Sequence, residues 1–126
     1  MGQLDRFKLD GQVALVGGGG GAIGGAMAVA LAEAGAKVGV VDISQELVDA
    51  TKEKVEAAGG ECLAIAGDMT QRDEADAVVD EVVHHLGSLD IMVNAIGGGA
   101  GKVLFEAQEY PDDAWDWIYD INVRCT

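Results

Sequence analysis

The stretch QVALVGGGGGAIG, residues 12–24, decides the fold of this chain. Residues 12–16 form a short apolar run that stops at five consecutive glycines, a pattern that predicts a fully buried strand ending in a glycine loop. Residues 22–34 follow as a predicted helix that Gly35 closes. Its apolar positions recur at helical spacing, which predicts one buried stripe made of Ile23, Met27, Ala30, Leu31 and Ala34.

Working outward, the same alternation of short apolar runs and amphipathic segments continues to the last residue. We predict further strands at residues 37–41, 62–66 and 90–94. Ser44 is predicted to be the N-cap of a helix that runs to about Ala58 and stops at Gly59 and Gly60. Pro111 is predicted to begin a final helix, in which Trp115, Ile118, Tyr119 and Asn122 share a face.

The most strongly patterned helix precedes Gly87. It keeps helical spacing without a miss at Ala75, Val78, Val79, Val82, Val83 and Leu86. Thr70 to Asp73 resembles a capping box at its start. His84 and His85 fall in its last turn, and we predict that they are exposed rather than metal ligands, since neighbours on a helix point in different directions.

Four strands alternating with four helices are typical of a parallel α/β sheet with right-handed crossovers. Residues 1–126 contain no repeat, linker or second domain, and we expect one domain. Eleven of the 19 glycines lie in two clusters, after the first and fourth strands. In a doubly wound sheet of order 3-2-1-4 these strands are neighbours at the switch point, so both clusters open into one crevice where a ligand is expected.

Composition excludes several classes of protein. With 8 Lys and Arg against 22 Asp and Glu, the net charge of −14 argues against a nucleic-acid partner. The two cysteines are far apart and form no CxxC pair, so we predict no zinc site or disulfide scaffold and a reducing, cytoplasmic location. Residues 13–32 carry no charge, but seven of these twenty are glycine, and we expect neither a membrane span nor a secretory leader.

The first glycine cluster leads directly into a helix N-terminus, where free N–H groups and the helix dipole favour an anion such as pyrophosphate. A flexible loop without a ligand is the alternative reading. Asp42 follows Gly24 by 18 residues, at the end of the second strand, where a carboxylate can accept hydrogen bonds from an adenosine ribose. No Arg or Lys occurs within residues 17–29 or 42–51, and this favours NAD over NADP.

These residues resemble the short-chain dehydrogenase/reductase family. The family pattern Thr-Gly-x-x-x-Gly-Ile-Gly falls on residues 17–24, and Asp68-Met69-Thr70 resembles its Asp-x-Thr. Residues 93–97, VNAIG, resemble its Asn-Asn-Ala-Gly motif at Asn94 and Gly97. Trp115 followed by Asn122 is similar to the family helix that carries the asparagine of the catalytic tetrad.

The resemblance implies a Rossmann fold, NAD as cofactor, and hydride transfer between the nicotinamide and a small alcohol or ketone. It implies no metal, a catalytic role for Asn122 and a homo-oligomer when the protein is complete. It assigns cofactor binding to Gly18, Gly20, Gly21, Ala22, Ile23, Gly24, Asp42, Ile43, Asp68, Met69, Asn94, Ala95, Ile96 and Gly97. The alternative readings are a helix-approach acid for Asp68, a turn residue for Asn94 and an ordinary polar helix position for Asn122.

The sequence departs from the family pattern at several positions. Gly17 lacks a threonine hydroxyl that ties the glycine loop to the neighbouring strand, and Ala22 adds a methyl group near the phosphates. Ala95 and Ile96 replace asparagine and alanine beneath the nicotinamide side. We interpret Trp115 and Trp117 as packing residues.

The proton donor of the family is a tyrosine with a lysine four residues later. Tyr110 and Tyr119 have Ala114 and Val123 at that distance instead. We therefore expect an N-terminal cofactor-binding half, truncated after the fourth strand and its helix, and inactive by itself. The alternative is a non-catalytic dinucleotide-binding fragment or defective half-protein, and a methyltransferase is a third hypothesis.

Overall fold

The computed structural model describes residues 1–99 and 105–126 of the chain. The predicted loop of residues 95–111 contains residues 100–104, including Gly101, which lie outside the described part. Four parallel strands form one sheet of order β3-β2-β1-β4, as predicted. The strands are β1 (Val13–Gly17), β2 (Lys37–Asp42), β3 (Cys62–Ala66) and β4 (Ile91–Asn94).

Helices follow the strands in alternation, which gives the predicted α/β class. They are α1 (Ala22–Glu33), α2 (Gln45–Ala57), α3 (Arg72–Leu86) and α4 (Asp112–Tyr119), the last continued by a π-helical turn at Asp120–Arg124. Two short 3-10 helices, Gln3–Phe7 and Ala107–Glu109, have no counterpart among the predicted elements. The predicted bounds agree to within one or two residues, and β1 lies one residue later than predicted.

The core lies on both faces of the sheet. One cluster packs β-strand residues against α3 and contains Val13, Leu15, Val41, Ile65, Val78, Val82 and Leu86. The other packs the opposite face against α1 and α2 and contains Val16, Ala28, Val38, Val40, Val48, Val55 and Cys62. Because helices cover both faces, the central strands β1 and β2 are apolar along nearly their whole length rather than alternating.

Several predicted helix ends are confirmed. The Ser44 hydroxyl accepts a hydrogen bond from the Leu47 amide at 3.4 Å and caps α2. Gly87 ends α3 in the left-handed region, with φ of 101°. His84 and His85 in the last turn of α3 are exposed, and their rings meet edge to face at 5.0 Å.

The predicted apolar stripe of α1 is wrong at Ile23, Met27 and Ala30, which are exposed, whereas Leu31 is partly buried against the core. Ile23 is 70% exposed, and Gly24, Gly25 and Ala28 form the buried face instead. The reason is close packing, since a Cβ on Gly24 would overlap the carbonyl oxygen of Gly18 in the glycine loop. Only the smallest side chains fit between the first turns of this helix and the glycine loop, so Ile23 and Met27 turn outward.

The predicted capping box at Thr70 is also wrong. Gln71 is the N-cap residue of α3 and makes no side-chain cap bond. The Thr70 hydroxyl donates to the Asp68 carboxylate at 2.6 Å, in a local turn. A short polar side chain that bonds to a neighbour in a turn is no longer available to cap the helix that follows. The interpretation of Trp115 as a packing residue fails too, because this side chain is 65% exposed.

Neither cysteine forms a disulfide within the described residues. Burial raises the pKa of the Cys62 thiol to about 11, so it remains protonated in the core near neutral pH. Within residues 1–99 and 105–126, no helix combines the length and the apolar character that crossing a membrane requires.

Leu15 tests the core directly, because its side chain is fully buried at the centre of β1. We expect Leu15→Ala to lower the free energy of unfolding by about 2–5 kcal/mol through lost burial and a residual cavity. The matched control is Leu4→Ala, because Leu4 is 81% exposed. This substitution should change the free energy of unfolding by less than about 0.5 kcal/mol. Urea unfolding measures both variants, and equal effects would contradict the placement of the core.

Candidate functional site

A cavity of about 350 Å³ opens at the carboxyl ends of the four strands. The loops that follow β1, β2, β3 and β4 supply most of its lining, and the last helical segment supplies the rest. The lining residues are Gly18, Gly21, Asp42, Ile43, Gly67, Asp68, Met69, Thr70, Ala95, Ile96, Gly97, Trp117 and Ile121. The crevice therefore lies at the switch point between β1 and β4, where ligands bind in open α/β sheets.

The glycine loop is held close to its neighbours by backbone contacts. Gly18 has a φ of 75°, and a Cβ there would lie 2.6 Å from the carbonyl oxygen of Ala95. The amides of Gly18 and Gly19 both donate to the carbonyl of Val41, at 2.9 and 3.0 Å. The loop is thus fixed between β2 and the segment after β4, which the flexible-loop reading does not predict.

Thr51 provides a further tie that the sequence analysis missed. Its hydroxyl, on α2, donates to the carbonyl oxygen of Gly19 at 2.8 Å, and the residue is only 3% exposed. The sequence does contain a signal for it. Thr51 lies between Val48 and Val55 on the buried face of α2, where a polar side chain needs a hydrogen-bond partner.

Two departures from the family pattern contact each other. A Cβ on Gly17 would lie 3.2 Å from Cδ1 of Ile96 and 3.4 Å from Cε of Met92. The larger side chain at position 96 therefore fills the space beside the glycine. An apolar contact takes the place that a side chain at position 17 would occupy.

Asp42 lies at the junction of β2 and the glycine loop. One carboxylate oxygen accepts a hydrogen bond from the Gly20 amide at 3.1 Å, and the other accepts one from the Ile43 amide at 2.8 Å. These bonds fix the orientation of the carboxylate. Each oxygen of a carboxylate can accept more than one hydrogen bond, so both retain capacity towards the cavity.

Asp68 is held in a compact turn after β3. Its Oδ1 accepts hydrogen bonds from the Thr70 amide at 3.0 Å and the Thr70 hydroxyl at 2.6 Å. Its own amide donates to the Glu74 carboxylate at 2.7 Å. Glu74 lies in the first turn of α3, so that helix and the turn are fixed to each other.

Asn122 connects the last helical segment to the loop after β4. Its Oδ1 accepts from the Gly98 amide at 3.0 Å, and its Nδ2 donates to the Gly98 carbonyl at 2.8 Å and to the Ile118 carbonyl at 2.9 Å. The residue lies in the π-helical turn, a feature often found at functional sites. It does not line the cavity.

The structure brings together most of the predicted cofactor residues but not all. Gly20 and Gly24 support the glycine loop without lining the cavity, and Ala22 and Ile23 are exposed in the first turn of α1. Asn94 is exposed at the end of β4. Cavity-lining residues that the sequence analysis missed are Gly67, Thr70, Trp117 and Ile121. Spacing within the sequence gave no signal for Trp117, because its place depends on how α4 folds back over the loops.

Comparison with known proteins gives consistent matches. The family model described as short chain dehydrogenase matches residues 12–126. Versicolorin reductase 1 of Dothistroma septosporum is 37% identical over 124 residues, which cover 96% of this chain and 45% of the relative. The chain thus spans about half the length of the curated relatives it matches.

Two solved structures are also similar. A short-chain type dehydrogenase/reductase from Mycobacterium marinum has a TM-score of 0.92 and 33% identity, covering 99% of this chain and 49% of that one. A 7α-hydroxysteroid dehydrogenase complexed with NADH and 7-oxo glycochenodeoxycholic acid has a TM-score of 0.89 and 32% identity, covering 99% and 48%.

The bond between Thr51 and Gly19 makes a testable contribution to stability. Thr51→Val keeps the shape of the side chain but leaves a buried carbonyl without this donor, so we expect a loss of about 1–3 kcal/mol in the free energy of unfolding. Thr51→Ser retains the hydroxyl, so its free energy of unfolding should fall by less than that of Thr51→Val. Urea unfolding of both variants measures the difference. A valine variant as stable as the unaltered chain would show that the bond contributes nothing.

Proposed function

The chain belongs to the short-chain dehydrogenase family, and on this premise we propose that it binds NAD(H) in the cavity at the carboxyl edge of the sheet. In the complete protein the cofactor serves hydride transfer between its nicotinamide and a small alcohol or ketone. The main support for the proposal is the position of the Asp42 carboxylate, which lines the cavity and accepts a hydrogen bond from the glycine loop.

The residues present fit a dinucleotide. Gly18 and Gly21 line the cavity with bare backbone, next to the N-terminus of α1, where N–H groups and the helix dipole favour pyrophosphate. Asp42 would accept hydrogen bonds from the adenosine ribose, and the family resemblance assigns Asp68 to accept one from the adenine amine. These groups would hold the pyrophosphate and the adenosine half of the ligand, and the nicotinamide would supply the hydride when bound.

Preference for NAD over NADP rests on charge. A carboxylate at Asp42 repels a 2′-phosphate, and residues 17–29 and 42–51 contain no Lys or Arg to neutralise it. The net charge of −14 adds a long-range term against the more anionic cofactor. The similar 7α-hydroxysteroid dehydrogenase structure is a complex with NADH, which supports the same cofactor for this chain.

For the reaction itself, we assign Asn122 a role in the catalytic group of the complete protein. In the described chain it joins the π-helical turn to Gly98, next to the glycine segment that lines the cavity. Neither Tyr110 nor Tyr119 has a lysine four residues later, so this chain offers no tyrosine and lysine pair for proton transfer. The second candidate function is therefore dinucleotide binding without catalysis.

We also propose a cytoplasmic location and a homo-oligomeric complete protein. Two free cysteines without a disulfide support a reducing compartment. Exposed Trp115, Tyr119 and Val123 on the last helical segment support association of that surface with another protein surface.

Cofactor preference tests the role of Asp42. We expect tighter binding of NADH than of NADPH by the unaltered chain, measured by calorimetry. Asp42→Ala with Ile43→Arg should narrow or reverse the preference, because a charged hydrogen bond to the ribose is worth about 1.5–3 kcal/mol and arginine accommodates a 2′-phosphate. Asp49→Arg, at an exposed position on α2 and with the same change of two charge units, is the control. Equal affinities for the two cofactors in the unaltered chain would contradict the assignment.

Turnover separates the two candidate functions. With NADH and a panel of ketones, we expect this 126-residue chain alone to show no detectable reduction, since a positioned proton donor typically contributes about 10²–10⁴ in rate. Absorbance at the NADH band measures the reaction. Saturable NADH oxidation by the pure chain would show that it contains a sufficient proton donor.

A further inference from the structure

Trp117 occupies a place that the family resemblance does not assign to it. Trp117 and Ile121 come from the last helical segment, yet both line the cavity formed by the strand-end loops. Asp68 and Met69 line the same cavity, and Ile43, at its edge, is 75% exposed. A large aromatic side chain therefore lies at the mouth of a crevice that also offers a carboxylate and aliphatic surface.

The two tryptophans of the chain have opposite surroundings. Trp117 is half-buried and lines the cavity, whereas Trp115 is 65% exposed and does not. The Trp115 ring meets the Tyr110 ring edge to face, with centroids 6.4 Å apart. The same helix therefore presents one tryptophan to solvent and the other to the cavity.

The chemistry of the lining points to one kind of ligand group. A purine base with an exocyclic amine has two flat apolar faces and an N–H donor at its edge. The indole of Trp117 offers a face for stacking, and the carboxylate of Asp68, held by Thr70, offers the acceptor. Aliphatic side chains at Ile43, Met69 and Ile121 suit the remaining apolar surface.

We infer that Trp117 forms the aromatic wall of the adenine subsite and contributes affinity for the base in this chain. The inference rests on the proposed function, and it adds the last helical segment to the base-binding machinery. Stacking on an aromatic side chain is worth about 1–3 kcal/mol per base, which corresponds to roughly five- to 150-fold in affinity. A bound base would then contact both this helical segment, through Trp117, and the strand-end loops, through Asp68.

Single-tryptophan variants test the contact by fluorescence. Trp115→Phe leaves Trp117 as the only tryptophan, and Trp117→Phe leaves Trp115. Titration with AMP should change the emission of Trp117 in the first variant and leave that of Trp115 in the second unchanged. Ribose 5-phosphate, which lacks the base, should change neither. An AMP-insensitive Trp117 in a chain that binds NADH would overturn the inference.

Affinity provides an independent measurement. In calorimetric titration with NADH, Trp117→Leu should bind about tenfold or more weakly than the unaltered chain, and Trp117→Phe should recover most of the loss. Trp115→Leu is the matched control and should bind within about twofold of the unaltered chain. If Trp117→Leu does not fold, the emission of Trp117 in the Trp115→Phe variant still decides the question.

The outcomes distinguish the two claims. An unaltered chain that fails to bind NADH would contradict the proposed function and the inference with it. NADH binding that is equally tight in Trp117→Leu, without an AMP response from Trp117, would overturn the inference alone and leave the proposed function standing.

Discussion

The close approach of Gly18 to the backbone of Ala95 is the contact on which the rest of the site depends. Parallel pairing of β1 with β4 brings their carboxyl ends together, and a Cβ at Gly18 would lie 2.6 Å from the Ala95 carbonyl oxygen. Glycine alone permits this approach at the observed positive φ. Because the two loops contact each other there, their positions on either side of the crevice are fixed. Residues at the ends of β2 and β3 complete the lining of the crevice.

The glycine loop of this chain is stabilised by contacts other than those the family pattern implies. Gly17 has no hydroxyl to contribute, and the side chains of Ile96 and Met92 pack against the space beside it. The polar tie comes instead from Thr51, whose hydroxyl reaches the Gly19 carbonyl from α2. The two departures from the pattern, at positions 17 and 96, are therefore complementary, because the larger side chain at position 96 fills the space beside the glycine at position 17. The loop keeps its backbone hydrogen bonds to β2.

Local patterns predicted the strands and helices well where one physical effect dominates. The continuous apolar run of β3 and the regular spacing of α3 both gave the correct elements, and the alternation with helices gave a parallel sheet. Its order 3-2-1-4 was predicted from the doubly wound fold. The buried face of α1 could not be predicted from hydrophobicity, because the close approach of the glycine loop selects for small residues at Gly24 and Ala28. At the site, Asp42 was predicted from its place at the end of the second strand, and Asp68 from the family resemblance. Trp117 was not, since its contact with the cavity depends on how α4 packs against the strand-end loops.

The central claim is that a dinucleotide binds in the crevice above the carboxyl ends of the strands. Backbone amide shifts of the isotope-labelled chain, recorded by NMR during titration with NADH, test it most directly. The account predicts saturable changes at Gly18 to Gly21, at Ile43 and at Asp68 to Thr70, with His84 and His85 at the far end of α3 unaffected. Saturable changes that leave the glycine loop untouched and cluster on another surface would contradict it.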